Sequence, residues 1–189
     1  MSQGEGIYTR SPADGPLLQG EILSNLPQAR LAIEAAPSEG QGVFDIKVHP
    51  WVIVMSQDCD LEQDFHAGPG RMSPNILFCE MSTADDLSAL IRTSGLGSSK
   101  WQLIRQNNDP RYHFLQRSAQ EDDARDNGLE EFGIDFKRHF TLPTEEVYFR
   151  LHQETQRRCV LNSPYLEHLA NRFYAFMSRV ALPAEHQSE

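Results

Sequence analysis

Pro50-Trp51-Val52-Ile53-Val54-Met55-Ser56-Gln57-Asp58-Cys59-Asp60-Leu61 is the stretch on which the reading of this chain turns. Its apolar run, Trp51 to Met55, has the length of a strand crossing a core, and it ends abruptly in a hydroxyl, an amide, two carboxylates and a thiol. A strand pins its last residues while the loop beyond leaves them open to a ligand. Ser56, Gln57, Asp58, Cys59 and Asp60 are therefore the candidate binding residues.

Short extended segments surround this strand. Leu17–Leu23 reads as a first strand, with Pro27 forcing a turn before the alternation of Arg30–Glu34, and Val43–Val48 alternates as a strand with one wet face does. Ile76–Met81 follows a loop holding Gly68-Pro69-Gly70 and Ser73-Pro74. Strands so close together, with no helix between them, predict an antiparallel barrel or sandwich rather than a doubly wound sheet. Ser82–Arg92 has a cap residue, early acids and a late base, the order that suits a helix dipole. Trp101–Arg105 continues as a helical turn, Tyr112–Gln116 is extended, and Phe132–Leu142 alternates as a strand up to Pro143.

At the other end, Ser163 suits an N-cap and Pro164 a first helical position. Tyr165, Leu169, Phe173, Phe176, Met177 and Val180 recur at helical spacing before Pro183 stops the run. Arg172 and Arg179 then share the exposed side with Asn171, where solvation is the ordinary state of an arginine. The fold class is α+β: a small antiparallel β-barrel over residues 17 to about 140, with helical insertions and a C-terminal helix. Residues 1–16 are expected as a flexible N-terminus, 17–183 as a single domain, and 184–189 as a tail.

A chain of 189 residues supports one such domain, and no run approaches the ~18 apolar residues a membrane helix needs. The opening Met1-Ser2-Gln3-Gly4-Glu5-Gly6 lacks the basic start and apolar stretch of a secretory signal, so a cytoplasmic location is expected. Cys59, Cys79 and Cys159 are odd in number and widely spaced, which reads as reduced thiols. The net charge of −10 repels polyphosphate and disfavours non-specific nucleic-acid binding. Much of it sits in Glu121–Glu131, read as a solvated loop turning at Asn127-Gly128. As a calcium loop it fails, because Arg125 and Ile134 fall where oxygen ligands are required.

The residue types at the strand end bear on three chemistries. Asp58, Cys59, Asp60, His66 and Cys79 are metal-ligand types, but C-x6-H-x12-C lacks the close ligand pairs of a zinc site. Continued as a strand, Asp58 and Asp60 face one side and Cys59 the other. Short acids also order turns, and Cys59 and Cys79 read as small buried hydrophobes. A cysteine nucleophile needs a base, yet His49, His66, His113 and His139 stand in no catalytic pattern. Ser56 has no G-x-S-x-G context, and Gly95–Lys100 is not a phosphate loop. No metal and no cofactor are expected.

Gly20-Glu21-Ile22 together with Pro50–Asp60 resembles the opening of growth-inhibitor endoribonuclease toxins of the MazF/PemK class, over residues 17 to 81. There a G-[DE]-[IV] strand start precedes an R-P-V-L-V-[VI]-S-type strand. The resemblance implies an SH3-like barrel, a bacterial stress or defence setting and a homodimer. Ser56 matches the toxin's hydroxyl residue after the strand, and His49 replaces the basic residue before the proline. The whole chain, including Ser163–Leu169 and Arg179–Pro183, is also similar to a group of uncharacterised bacterial proteins with a strand-end S-Q-[DT]-C-D motif. The functional expectation is a toxin-like or degenerate toxin-fold binding module that meets a ligand or protein partner through Ser56–Asp60. The alternative is a hydrolase, RNA-cleaving with Ser56 and His49 or metal-assisted with Asp58 and Asp60.

Overall fold

The structure, a computed structural model, describes residues 6–32, 43–95 and 97–179. Its elements run β1 (Tyr8–Arg10), β2 (Glu21–Ala32), β3 (Val43–Val54), α1 (Asp58–Ala67), β4 (Asn75–Thr83), α2 (Ala84–Thr93), α3 (Ser98–Arg105), β5 (Tyr112–Leu115), β6 (Phe132–Pro143), α4 (Thr144–Leu151), β7 (Gln156–Leu161) and α5 (Tyr165–Met177). The fold is α+β, as expected, with one antiparallel sheet in the order β1-β7-β2-β3-β4-β6-β5. The ladder keeps two ends and is not closed. Those ends nevertheless meet through a side chain: Tyr8 Oη on β1 donates to Gln116 O, one residue beyond β5, at 2.6 Å.

The inner half of β3, Trp51–Val54, is an unbroken apolar run because the sheet is covered on both faces at that point. Val52 and Val54 pack with Leu23, Ile76 and Phe78 beneath Leu61 of α1 and Val147 of α4. Ile53 and Met55 pack on the other face with Ile22, Cys79 and Phe136 beneath Leu169 and Phe173 of α5. β2 and β3 then change phase together. Ser24 stands opposite Trp51 and Leu26 opposite His49, but Leu26 returns to the face of Leu23, three positions earlier, where strict alternation would send it across. The slip falls at Asn25, whose φ is +60°, and at Pro50 across from it. Asn25 is held in that conformation by its side-chain amide on Glu154 O and by Thr155 Oγ1 on its own carbonyl, both at 3.1 Å.

Several expectations are corrected. β1 lies within the stretch read as a fraying arm, and Tyr8 is buried there against β7. Pro27 makes no turn. It sits inside β2 opposite Val48, where β7 has already left and only one edge of β2 is paired, so a residue without N–H is tolerated. Val43–Val48 and the central run are one strand rather than two. The barrel over 17–140 omits β7, which the sequence reading missed together with α4 and α1, and which sits between β1 and β2. Ser163 does not cap α5, whose first amides, of Tyr165 and Leu166, bond to Asn162 O. Ile33, Glu34, Val180, Pro183 and the tail 184–189 lie outside the described residues.

Candidate functional site

Ser56 to Asp60 do not form a loop. The chain leaves β3 and within three residues enters α1, with Gln57 as its N-cap residue and Gln57 O accepting from the amides of Asp60 and Leu61. Asp58 and Asp60 occupy the first helical turn, where carboxylates complement the partial positive charge of the helix N-terminus. The same signal was present in the sequence, but the preceding strand invited an extended continuation. On a helix the alternation that set Cys59 against the two acids no longer applies, and all three side chains are exposed.

Each of the five residues is placed by specific contacts. Ser56 is half-buried and its hydroxyl accepts from Leu77 N at 2.9 Å, while Met55 N donates to Leu77 O at 2.8 Å, so the strand end is clasped to β4. Gln57 Nε2 donates to Tyr174 Oη of α5 at 3.2 Å. Asp58 Oδ1 accepts from Gln19 N at 2.6 Å, tying α1 to the segment before β2. Cys59 is exposed rather than buried, its Sγ 3.8 Å from Gln57 Oε1 and 3.7 Å from Asp60 Oδ1. Cys79 and Cys159 are buried in the core, and burial pushes both thiols up.

His49 and His113 are engaged away from this turn. His49 lies seven residues before Ser56, roughly 20 Å along a strand. It is buried, stacked on Phe140 at 4.1 Å, with Nε2 3.0 Å from Gln28 Oε1. Its Nδ1 is 2.8 Å from Glu80 Oε1 but off the line of a hydrogen bond. Burial, then the Lys47 charge, depress its pKa against the pull of Glu80. His113 is buried beside Phe136 and His168, its pKa lowered to about 3 by burial and by Arg172. Among the described residues no three His, Cys, Asp or Glu side chains gather as a metal set. Nor is any helix there long and apolar enough to cross a membrane.

Other polar residues do more than the sequence reading assigned them. Asp64, one turn beyond the candidate residues, is buried and accepts from the amides of Gly70, Met72 and Ser73 at 2.8, 2.7 and 2.9 Å. Burial pushes its carboxyl up, but those amides outweigh it and hold the group below the ordinary carboxylate range. Asp123, read as part of a solvated acidic loop, is buried and forked to Arg158. Arg172, read as a solvated helix residue, donates to the carbonyls of Asn107, Asp109 and Tyr112, and so ties α5 to the turn before β5. A cavity of about 440 Å³ lies elsewhere: Phe65, Tyr148 and Leu151 line it with Arg125, His152 and Arg157. Arg157 is already engaged there by Glu21, at 2.6 and 2.8 Å. No family model and no curated protein matches the chain.

Proposed function

We propose that this chain is a binding module, a degenerate toxin-fold protein of a bacterial stress or defence system, which meets a protein partner through the first turn of α1. The observation that carries this reading is the split at the strand end. Ser56, the residue that would have to react, has its hydroxyl committed to Leu77 N, while Gln57, Asp58, Cys59 and Asp60 stand exposed on a rigid helical turn. Exposed polar groups on a fixed turn suit recognition. Gln57 brings Tyr174 into the same surface, and an exposed tyrosine is among the residues interfaces favour. The SH3-like barrel belongs to this proposal too. It draws support from the Tyr8–Gln116 contact between the two ends of the ladder and from the double slip at Asn25 and Pro50.

Purified protein incubated with total RNA in EDTA tests it against the RNA-cleaving alternative. The expected result is no cleavage beyond that of Ser56→Ala. Cleavage by the wild type that Ser56→Ala abolishes overturns the binding reading. In parallel, Asp60→Lys is expected to lose a captured partner that the unaltered chain retains, with unchanged circular dichroism.

A further inference from the structure

We propose that the outer part of the β2–β3 hairpin is a self-association surface on which a second copy of this chain docks, edge to edge and antiparallel, about a two-fold axis at Ile46. This does not rest on the reading of α1. β7 pairs with β2 only as far as Ser24, and β4 with β3 only from Val52 onward. Beyond those points, among the described residues, β2 and β3 pair only with each other, as a two-stranded ribbon. After the slip at Asn25 and Pro50, one side of the ribbon carries Gln28, Arg30, Asp45, Lys47 and His49. The other carries Leu31, Phe44, Ile46 and Val48, exposed at 55%, 78%, 60% and 46%. A contiguous apolar strip on a ribbon with open edges is rare in a monomer, and it marks a place of contact.

The register identifies the occupant as another copy. The open edge of β3 runs from Val43 to Pro50, which has no N–H to offer, and Ile46 is its middle. Antiparallel self-pairing centred there sets Phe44 against Val48 of the second copy, Ile46 against itself, and Asp45 against Lys47, twice. Directly opposed apolar pairs and opposite charges are what stabilise two strands side by side. Moving the axis to Asp45 or to Lys47 would oppose like charges, so the sequence selects one register. Lysine on a free edge ordinarily deters pairing, but here its counter-charge arrives with the second copy. Within one copy Arg30 lies 3.4 Å from Asp45, and Lys47 contacts Glu80. Docking joins these into rows of alternating sign, Arg30, Asp45, Lys47, Glu80, crossing from one copy to the other. Among the described residues of the ribbon Arg30 and Lys47 stand against Asp45, so the strands that would meet carry no excess of negative charge themselves.

Sedimentation of the full chain at about 100 µM tests the proposal. The expected mass is twice 21.5 kDa. Ile46→Lys replaces an exposed side chain, so it should leave circular dichroism unchanged and raise the dimer's dissociation constant at least tenfold. In a Cys59→Ser background, Ile46→Cys should form an intermolecular disulfide faster than Leu31→Cys, which lies on the outer strands of the paired ribbons. A wild type that remains a single copy overturns the proposal. So does a dimer that Ile46→Lys leaves intact and that cross-links equally at both positions.

Discussion

Arg158 on β7 grips Asp123 with two hydrogen bonds, Nε to Oδ1 at 2.8 Å and Nη2 to Oδ2 at 2.7 Å, and both side chains are buried. The guanidinium also lies 4.7 Å from the ring of Trp51 on the central strand. One ion pair thus fastens the acidic segment, β7 and β3 together. Its neighbour Arg157 points to the opposite side of β7 and makes the equivalent fork with Glu21. Removing one partner strands the other as a buried charge. Asp123→Ala should cost about 3–5 kcal/mol in urea unfolding, and adding Arg158→Met should cost clearly less than the two single changes summed.

Acid should weaken the protein before its carboxylates titrate. His113 has a pKa near 3 in the folded chain against an ordinary 6.5, so the unfolded chain binds the extra proton. Its contribution is complete above pH 6.5 and declines as pH falls toward 3. His49, also depressed, acts in the same direction. Glu80, Asp64, Asp109 and Asp123 are all held below their ordinary range, so their contributions decline only below about pH 4. Unfolding free energy should therefore already fall between pH 6.5 and 4.5, and His113→Phe should flatten that limb while leaving the steeper loss below pH 4.

Asp64 organises the segment after α1 through its three amide contacts. Asp64→Ala leaves those amides without an acceptor, at a cost of about 3 kcal/mol. Hydrogen exchange at Gly70, Met72 and Ser73 should accelerate, while the amides of Val52 and Val54 in β3 remain protected unless the whole domain opens.

Of the three thiols, one should be reactive in the native state. Cys59 is exposed, and Cys79 and Cys159 are fully buried. A disulfide reagent should release one equivalent of chromophore rapidly and the other two at the rate of unfolding. Cys59→Ser should remove the fast phase alone.

The central strand, β4, α2, α5 and the long β6 were legible because each has its own period and its own stops. The misreadings share a different cause. Pro27 normally interrupts a strand, and only the absence of β7 beyond Ser24 makes it harmless. Asp58-Cys59-Asp60 starts a helix whose exposed, weakly amphipathic face has little periodicity to read. Asp123 looked solvated because its partner, Arg158, is 35 residues away in sequence. For the same reason Arg172 looked idle, its acceptors being backbone carbonyls, which no side-chain pattern advertises. At the candidate site the residue types were legible, but their separation into a clasped Ser56 and an exposed helical turn depends on Leu77, which lies on another strand.

The slip at Asn25 and Pro50 also bears on how this chain can tolerate change in length. Because it occurs in both strands at one rung, the rungs on either side stay matched, and the hairpin could lose one residue from each strand without losing a hydrogen-bonded partner. Lost at the slip itself, Asn25 with Pro50, the pair would restore strict alternation and leave Phe44, Ile46 and Val48 on the side they hold now, whereas a pair lost farther out, with the slip kept, would turn over the part of the hairpin beyond it. A deletion in one strand alone would misalign every rung out to the tip. Insertions and deletions in this hairpin are thus harmful singly, and in pairs their effect on its polarity depends on whether they remove the slip.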